Sequence, residues 1–447
     1  MGFRKTPLAD FVTLLTMRVD FAFGKTGLSV ELPPGPKYRL LEARWAEAVG
    51  DQLAAVEAAL DAPVGCAPLA QLAQGKKSAA ISVCDITRPA PNRLTLPPVL
   101  RRLAEAGIPR ENTTILIATG LHRPATESEI VEILGAEVAA AYPVVNHNAR
   151  ELADHRQLGT TKSGTPVFID RRYTDAELHI TLGFIEQHLM AGFSGGRKLI
   201  APGVAYQDTI KTLHSPRFMR DSRAVEGSID ENPLHQELLE IAGMAGHDFI
   251  LDVVLAEGRK IAAAFAGEPR QAHGAGIAFV RETTTEWIPH PVDAAVTSAA
   301  GYPLDLTFYQ VVKGVTAASH IVKPGGIILL MAACEEGPGA HEFSRLLIQS
   351  PDPAMFLETI FKLPVTIDQW QLEKLALVCQ THKVWWYTPG LPKEYHANIW
   401  GRIFPSAAEA LQGLAEAVPA GAEVAVIPEG PYVFARPRSG AVELVEA

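Results

Sequence analysis

The stretch Ala79-Ala-Ile-Ser-Val-Cys84, running straight into Asp85-Ile-Thr-Arg-Pro89, decides the fold class of this chain. A short apolar run that ends in a polar turn reads as a buried strand. The same pattern returns three times. Thr113–Ala118 runs into Thr119-Gly-Leu-His-Arg-Pro124, and the strand near His179–Leu182 runs into Gln187-His188 and a glycine-rich loop. Ala294–Thr297 runs into Gly301-Tyr-Pro-Leu-Asp305. Helical patterns at Leu41–Leu60, Pro97–Glu105 and Glu127–Ala141 lie between the strands, and such alternation is the signature of an α/β architecture.

At 447 residues the chain exceeds one ordinary core, so two α/β domains are expected. The segment Trp287-Ile-Pro-His-Pro-Val is the best candidate boundary, giving domains over 17–288 and 289–447. The first sixteen residues precede any strand-like alternation and read as a disordered extension, or as a start misassigned upstream of Met17. A formal net charge of −10 speaks against a nucleic-acid partner, since phosphate binding needs a basic field. Four cysteines, Cys66, Cys84, Cys334 and Cys379, form no CxxC pair and read as reduced thiols. There is no apolar run of the roughly 18 residues a spanning helix needs, and no leader-type cleavage site, so no membrane partner is expected. A cytoplasmic enzyme-sized protein is the plain reading.

In open α/β sheets ligands sit beyond the carboxyl ends of the strands, so the four polar turns read as parts of one site. Turn chemistry alone accounts for Gly, Pro and Asp at such places, but not for His and Arg. Gly192-Phe-Ser-Gly-Gly-Arg-Lys198 offers backbone freedom and exposed amides at Gly195 and Gly196 that could cradle a phosphate. It does not fit GxxxxGK[ST]. Lys198 could pair with a phosphate, act as a nucleophile or serve as a covalent anchor.

His188 precedes Lys198 by ten residues, and His214 follows it by sixteen. Either imidazole suits proton transfer or metal binding, although a lone histidine is more often structural. No HExxH or paired-carboxylate signature is present, so a metal on His214 would need donors from elsewhere. His122 sits on a strand-end turn beside Arg123. Arg88 lies three residues from Asp85, where a local turn pair is the plain alternative to a carboxylate fork. Gln310 and Lys313 share a face of a helical stretch. His147, His235 and His273 lack such company and read as structural.

Taken together, DITRP, TGLHRP, HLMAGFSGGRK with a histidine sixteen residues on, Ala266-Gly-Glu-Pro269, GYPLD with YQVVK, and Asp368-Gln-Trp-Gln371 resemble the nickel-dependent lactate racemase family. The resemblance covers nearly the whole chain from about Met17. It implies a cofactor site in the cleft between two α/β domains. It also implies a nickel pincer nucleotide (nickel-pyridinium-3-thioamide-5-thiocarboxylic acid mononucleotide), supplied by dedicated cofactor-biosynthesis enzymes. Matched motif by motif, Lys198 would carry that nucleotide through a thioamide and His214 would be the protein's nickel ligand. His122 and His188 would be the acid/base pair. Arg88, Gln310 and Lys313 would bind substrate, while Asp85, Tyr309 and Trp370 would line the cofactor site.

The expected reaction is inversion at C2 of a 2-hydroxyacid, lactate or a relative, by hydride transfer coupled to loss of the hydroxyl proton. Two histidines suit such a reaction, one for the hydroxyl of each enantiomer. A longer, aromatic or sugar-derived hydroxyacid, as in an aldonate C2 epimerase, would use the same machinery. Two other classes stay open: a Schiff-base enzyme built on Lys198, and a non-catalytic cofactor-storage protein. The last has no need of His122 and His188.

Overall fold

In the structure, a computed structural model that describes residues 17–438, the chain divides into two compact units. One runs from Trp45 to Thr283, and the other joins the described residues up to Arg44 to those from Thr284 onward. Each unit is built on a six-stranded sheet. In chain order the sheet strands are β1 (Lys37–Leu40), β2 (Ala79–Cys84), β3 (Thr113–Ala118), β4 (Val144–Asn146), β5 (His179–Phe184) and β6 (Phe249–Leu255). They continue with β7 (Ile261–Gly267), β8 (Val292–Ser298), β9 (Val322–Met331), β10 (Lys383–Tyr387), β11 (Arg402–Ile403) and β12 (Glu423–Ile427). Four helices carry residues used below: α1 (Gln207–Leu213), α2 (Pro269–Thr284), α3 (Phe308–Ser319) and α4 (Gln369–Thr381).

The Trp45–Thr283 unit has the strand order β7-β6-β5-β2-β3-β4, parallel throughout except between β6 and β7. All six residues of β2 are buried, as expected of a central parallel strand covered on both faces. From β2 the chain moves outward through β3 and β4, then returns to lay β5 against the other side of β2. The order therefore reverses between β2 and β5. Beyond the carboxyl ends of such a pair an open α/β sheet receives its ligand. The turns carrying Asp85 and His188 leave the sheet at this point.

The second unit has the order β11-β10-β9-β8-β12-β1, with every pair parallel. Its order reverses at β8, whose end leads into Gly301–Asp305.

The sequence assigns residues 17–44 to the first domain; in the structure they fold with the second unit. β1 pairs with β12 from Lys37 opposite Glu423 to Leu40 opposite Val426. A hairpin of Met17–Phe21 and Leu28–Leu32 turns Val19, Phe21, Val30 and Leu32 into the same core as Ala294, Val296, Leu329 and Val424. The division at residue 288 moves upstream to Thr283/Thr284. Thr285–Ile288 is already a strand of the second unit, paired with Phe434–Pro437. Residues 1–16 lie outside the described residues.

Two expected helices are shorter than their periodicity. The one over Leu41–Leu60 is confined to Gln52–Asp61, capped by the Asp51 carboxylate on the Ala54 amide. The one over Glu127–Ala141 breaks at Gly135, where φ is +87°. All four cysteines are free thiols. Among the described residues no helix is long and apolar enough to cross a membrane.

Candidate active site

β2 and β3 end level, with Cys84 opposite Ala118, so the turns that follow them are neighbours. This brings together Asp85 and His122, 37 positions apart in sequence. Asp85 is buried, whereas the His122 side chain is 53% exposed. The His122 Nδ1–H donates to Asp85 Oδ2 at 2.8 Å, which leaves Nε2 as the nitrogen with the lone pair. Thr87 donates its hydroxyl to the other Asp85 oxygen at 2.7 Å. Burial acts to raise the Asp85 carboxyl, but the hydrogen bonds from His122 and Thr87 and the Arg88 charge outweigh it. Its pKa falls below the ordinary carboxylate value. Arg88 is exposed on the same turn, where its amide donates to the Asp85 carbonyl. Arg123, next to His122, closes its fork on Glu129 with bonds of 2.7 and 2.6 Å.

The glycine loop is held from inside the unit. Gly192, Gly195 and Gly196 all have positive φ. A Cβ on Gly192 would come within 1.9 Å of the Ser228 carbonyl, and one on Gly195 within 2.6 Å of the Asp252 carboxylate. Glycine is required at both places. The Gly196 amide, which the sequence offers to a phosphate, instead donates to Asp252 Oδ2 at 2.8 Å. Asp252 stands on β6 opposite Gly183 of β5, and burial drives its carboxyl up to about 7.

Arg197 and Lys198 are adjacent in sequence, yet they serve different ends. Arg197 is 2% exposed and folds back beneath the loop. It donates to the carbonyls of Ser194 and Gly195 (both 3.3 Å) and Ala191 (2.9 Å), and lies 3.0 Å from His273 Nε2 on α2. Lys198 is only half-buried, and its Nζ lies 2.8 Å from His188 Nε2. Burial, reinforced by the charges of Arg88 and Arg197, holds the Lys198 amine well below the ordinary lysine pKa. On the far side of the His188 ring, Nδ1 receives the amides of Ala191 at 3.2 Å and Met190 at 3.4 Å.

His214 closes α1. Its Nδ1–H donates to the Ile210 carbonyl at 2.8 Å, so Nε2 keeps its lone pair. Burial takes the ring's pKa down to about 4, and the imidazole is neutral at pH 7. Neutral, back-bonded imidazole is the usual form of a histidine metal ligand. Among the described residues no group of three or more His, Cys, Asp or Glu side chains is arranged to hold a metal.

In the second unit, Tyr309, Gln310 and Lys313 stand on α3, with Tyr309 edge-on to Phe343. Gln310 Oε1 is buried with no hydrogen-bond partner among the described residues. Trp370 is buried in the first turn of α4. Asp305 of GYPLD is buried and braces the scaffold, its Oδ2 accepting the amides of Gly24 (2.6 Å) and Ala333 (3.1 Å). The four turns that the sequence groups as one site therefore stand on two sheets: three on the first and GYPLD on the second. The loop's supports, Asp252 and His273, do not emerge from motif reading. Only the lone acid inside Phe249-Ile-Leu-Asp-Val-Val-Leu255 could have signalled the first, because an unpaired carboxylate is rare in an apolar strand.

Comparison with known proteins returns one family. The models for the lactate racemase N-terminal and C-terminal domains match residues 23–227 and 288–435. The chain is 35% identical to lactate racemase from Thermoanaerobacterium thermosaccharolyticum, covering 94% of this chain and 99% of that one. It is 36% identical to lactate racemase from Lactiplantibacillus plantarum, covering 84% and 89%. The solved structure of the T. thermosaccharolyticum apoprotein superimposes with a TM-score of 0.86 at 34% identity, covering 95% of this chain and all of that one. A Thermotoga maritima protein shares the fold at a TM-score of 0.61 and 16% identity, covering 83% and 96%.

Proposed function

This chain belongs to the lactate racemase family and is an isomerase, and we propose that it inverts C2 of a 2-hydroxyacid, lactate first, at a nickel pincer nucleotide carried on Lys198. The observation that carries this reading is Lys198 itself. A half-buried amine with a pKa well below the ordinary lysine value stands within hydrogen-bond reach of His188, one of the two histidines we assign to proton transfer.

The residues present fit the group. Lys198 offers a nucleophilic amine for the thioamide, and His214 offers one neutral imidazole, with the remaining donors left to the nucleotide. When bound, the nucleotide supplies a centre that accepts a hydride and returns it. The chain's own residues manage the proton and the pose. His122, with Nδ1 committed to Asp85, uses its Nε2 lone pair to take the hydroxyl proton of one enantiomer. His188 serves the hydroxyl of the other. Arg88 is exposed and free to meet the substrate carboxylate as a planar fork. In the second unit we assign substrate contacts to Gln310 and Lys313 and cofactor contacts to Tyr309 and Trp370. The orphaned Gln310 oxygen supports the first of these. Gly195 and Gly196 then act through backbone shape, because the Gly196 amide is engaged by Asp252.

The test is co-expression with the enzymes that make the cofactor. Intact mass should show an adduct on Lys198, nickel should co-purify, and optically pure lactate should lose its rotation. Aromatic and aldonic hydroxyacids assayed alongside separate lactate from the alternative substrates. Activity in nickel-free protein would sink the pincer reading, and substrate trapped on Lys198 by borohydride would replace it with Schiff-base chemistry. His214→Ala should lose nickel while keeping the organic adduct.

A further inference from the structure

The hydrogen bonds around His188 fix more than its position. Backbone amides can only donate, so the Met190 and Ala191 N–H groups require a lone pair at Nδ1. A neutral imidazole with its lone pair at Nδ1 carries its hydrogen at Nε2. That hydrogen faces Lys198 Nζ at 2.8 Å, and an ammonium has no lone pair to receive it.

We propose that in the cofactor-free chain Lys198 stands as a neutral amine accepting a hydrogen bond from His188 Nε2–H, ready to be acylated, and that acylation of Lys198 breaks this hydrogen bond. A neutral amine attacks an acyl carbon directly, whereas an ammonium must first lose a proton. Acylation then delocalises the nitrogen lone pair into the new carbonyl or thiocarbonyl. The nitrogen stops accepting, and the His188 Nε2–H loses its bond to Lys198. The chain thus engages the Nε2 of one of its two proposed proton-transfer groups until Lys198 is occupied. The ligand class is an acyl electrophile, and the inference rests on the reading of Lys198 as the tether only in naming a thiocarboxyl carbon as the natural one. There the C–N bond forms as a C–O bond breaks, the oxygen leaving as water with the amine hydrogen.

The surroundings agree. The groups whose charge reaches Lys198 are Arg88 and Cys84 at the end of β2, Glu186 after β5, and Arg197 beside it in the loop; His214 at the end of α1 would feel a charge on Lys198 in turn. Arg88 and Arg197 oppose a third positive charge at Lys198 and, together with burial, outweigh Glu186 and Cys84, which favour it.

Competitive labelling of the purified, cofactor-free chain with acetic anhydride over a pH series tests this. The amine nitrogen displaces acetate and releases its proton to buffer, and peptide mass spectrometry reads each lysine. Exposed lysines such as Lys162 serve as the internal reference. Lys198 should label with a pH inflection well below that of the exposed lysines, and His188→Ala should cut its labelling at pH 7 by about tenfold. Nitrogen NMR of the untreated chain should show His188 protonated at Nε2, with that signal shifting once Lys198 is acetylated. The inflection, unlike the rate, does not depend on reagent access. An inflection in the range of ordinary lysines, or His188 protonated at Nδ1, would overturn the proposal. Either result leaves the tether reading intact, since that is judged by the adduct on co-expressed protein. An adduct on some other residue would overturn the tether and leave the neutral Lys198 standing.

Discussion

His122 and His188 are proposed for the same chemistry, yet their surroundings are opposite. His122 is largely exposed on a strand-end turn, and a buried carboxylate holds its Nδ1–H, so the ring presents a lone pair at Nε2. His188 is half-buried, and backbone amides hold its Nδ1, so the ring presents an N–H at Nε2 toward Lys198. A racemase must handle a proton on either hand of its substrate. The contrast teaches that equal duty does not demand equal environments. One ring rests as an acceptor and the other as a donor, and the hydrogen-bond partner of the far nitrogen sets which.

The comparison can be broken most decisively at Lys198. Lys198→Ala should abolish the covalent adduct altogether and reduce racemisation to background, as read by intact mass and polarimetry; an unchanged adduct means another anchor. Next in size, His122→Ala and His188→Ala should each lower the rate by roughly 10²–10⁴-fold while the adduct remains. Full activity in either variant would refute the pairing.

The Asp85 partnership gives a finer cut. Asp85→Asn should slow the reaction by about 10–10²-fold, because it acts only through the orientation and tautomer of His122. Added to His122→Ala it should cost nothing more, while added to His188→Ala its effect should multiply. Equal behaviour in both double variants would erase the distinction between the two regions.

The smallest expected effects are on stability, and they differ in sign. The Asp85 carboxyl has a depressed folded pKa, so it stabilises the chain above the ordinary Asp value near 3.9, and that contribution is lost as pH falls through the folded value. Lys198 is a base with a depressed folded pKa. Between that value and the ordinary lysine range the unfolded chain binds the extra proton, so the folded state loses stability as pH falls. At pH 7, therefore, Asp85→Asn should lower the Tm of the cofactor-free chain and Lys198→Met should raise it, each by about 2–4 °C. The Lys198→Met gain should vanish toward pH 10. A Tm decrease for Lys198→Met at neutral pH would contradict a neutral amine at Lys198.

Much of this was legible in consecutive residues. The buried strands at Ala79–Cys84 and Thr113–Ala118 follow from short apolar runs closed by polar turns. The need for glycine in GFSGGRK follows from spacing, and its reason is the close approach of Ser228 and Asp252. Helix ends were less legible. Leu41–Leu60 has a helical period throughout, but Leu41 is buried with Ile288 and Val292 and Ala46 with Ile185 and Phe193, so the chain there is drawn out between two cores and the helix begins only at the Asp51 cap. The sequence singled out Lys198 as the candidate anchor but gave its neighbour Arg197 no role of its own. Their separation depends on His273, which lies 76 positions from Arg197.

The sequence by itself determined the α/β character, the strand-end turns, the glycine loop and the resemblance that names the chemistry. All of these are written in neighbouring residues. Only the tertiary structure decided that residues 17–44 complete the second sheet, that Asp85 serves His122, and that the Gly196 amide belongs to Asp252. It likewise decided that His188 faces Lys198. The reason is common to all four: each depends on contacts that strand order and loop packing bring about, and long-range apolar burial selects those without leaving a local mark.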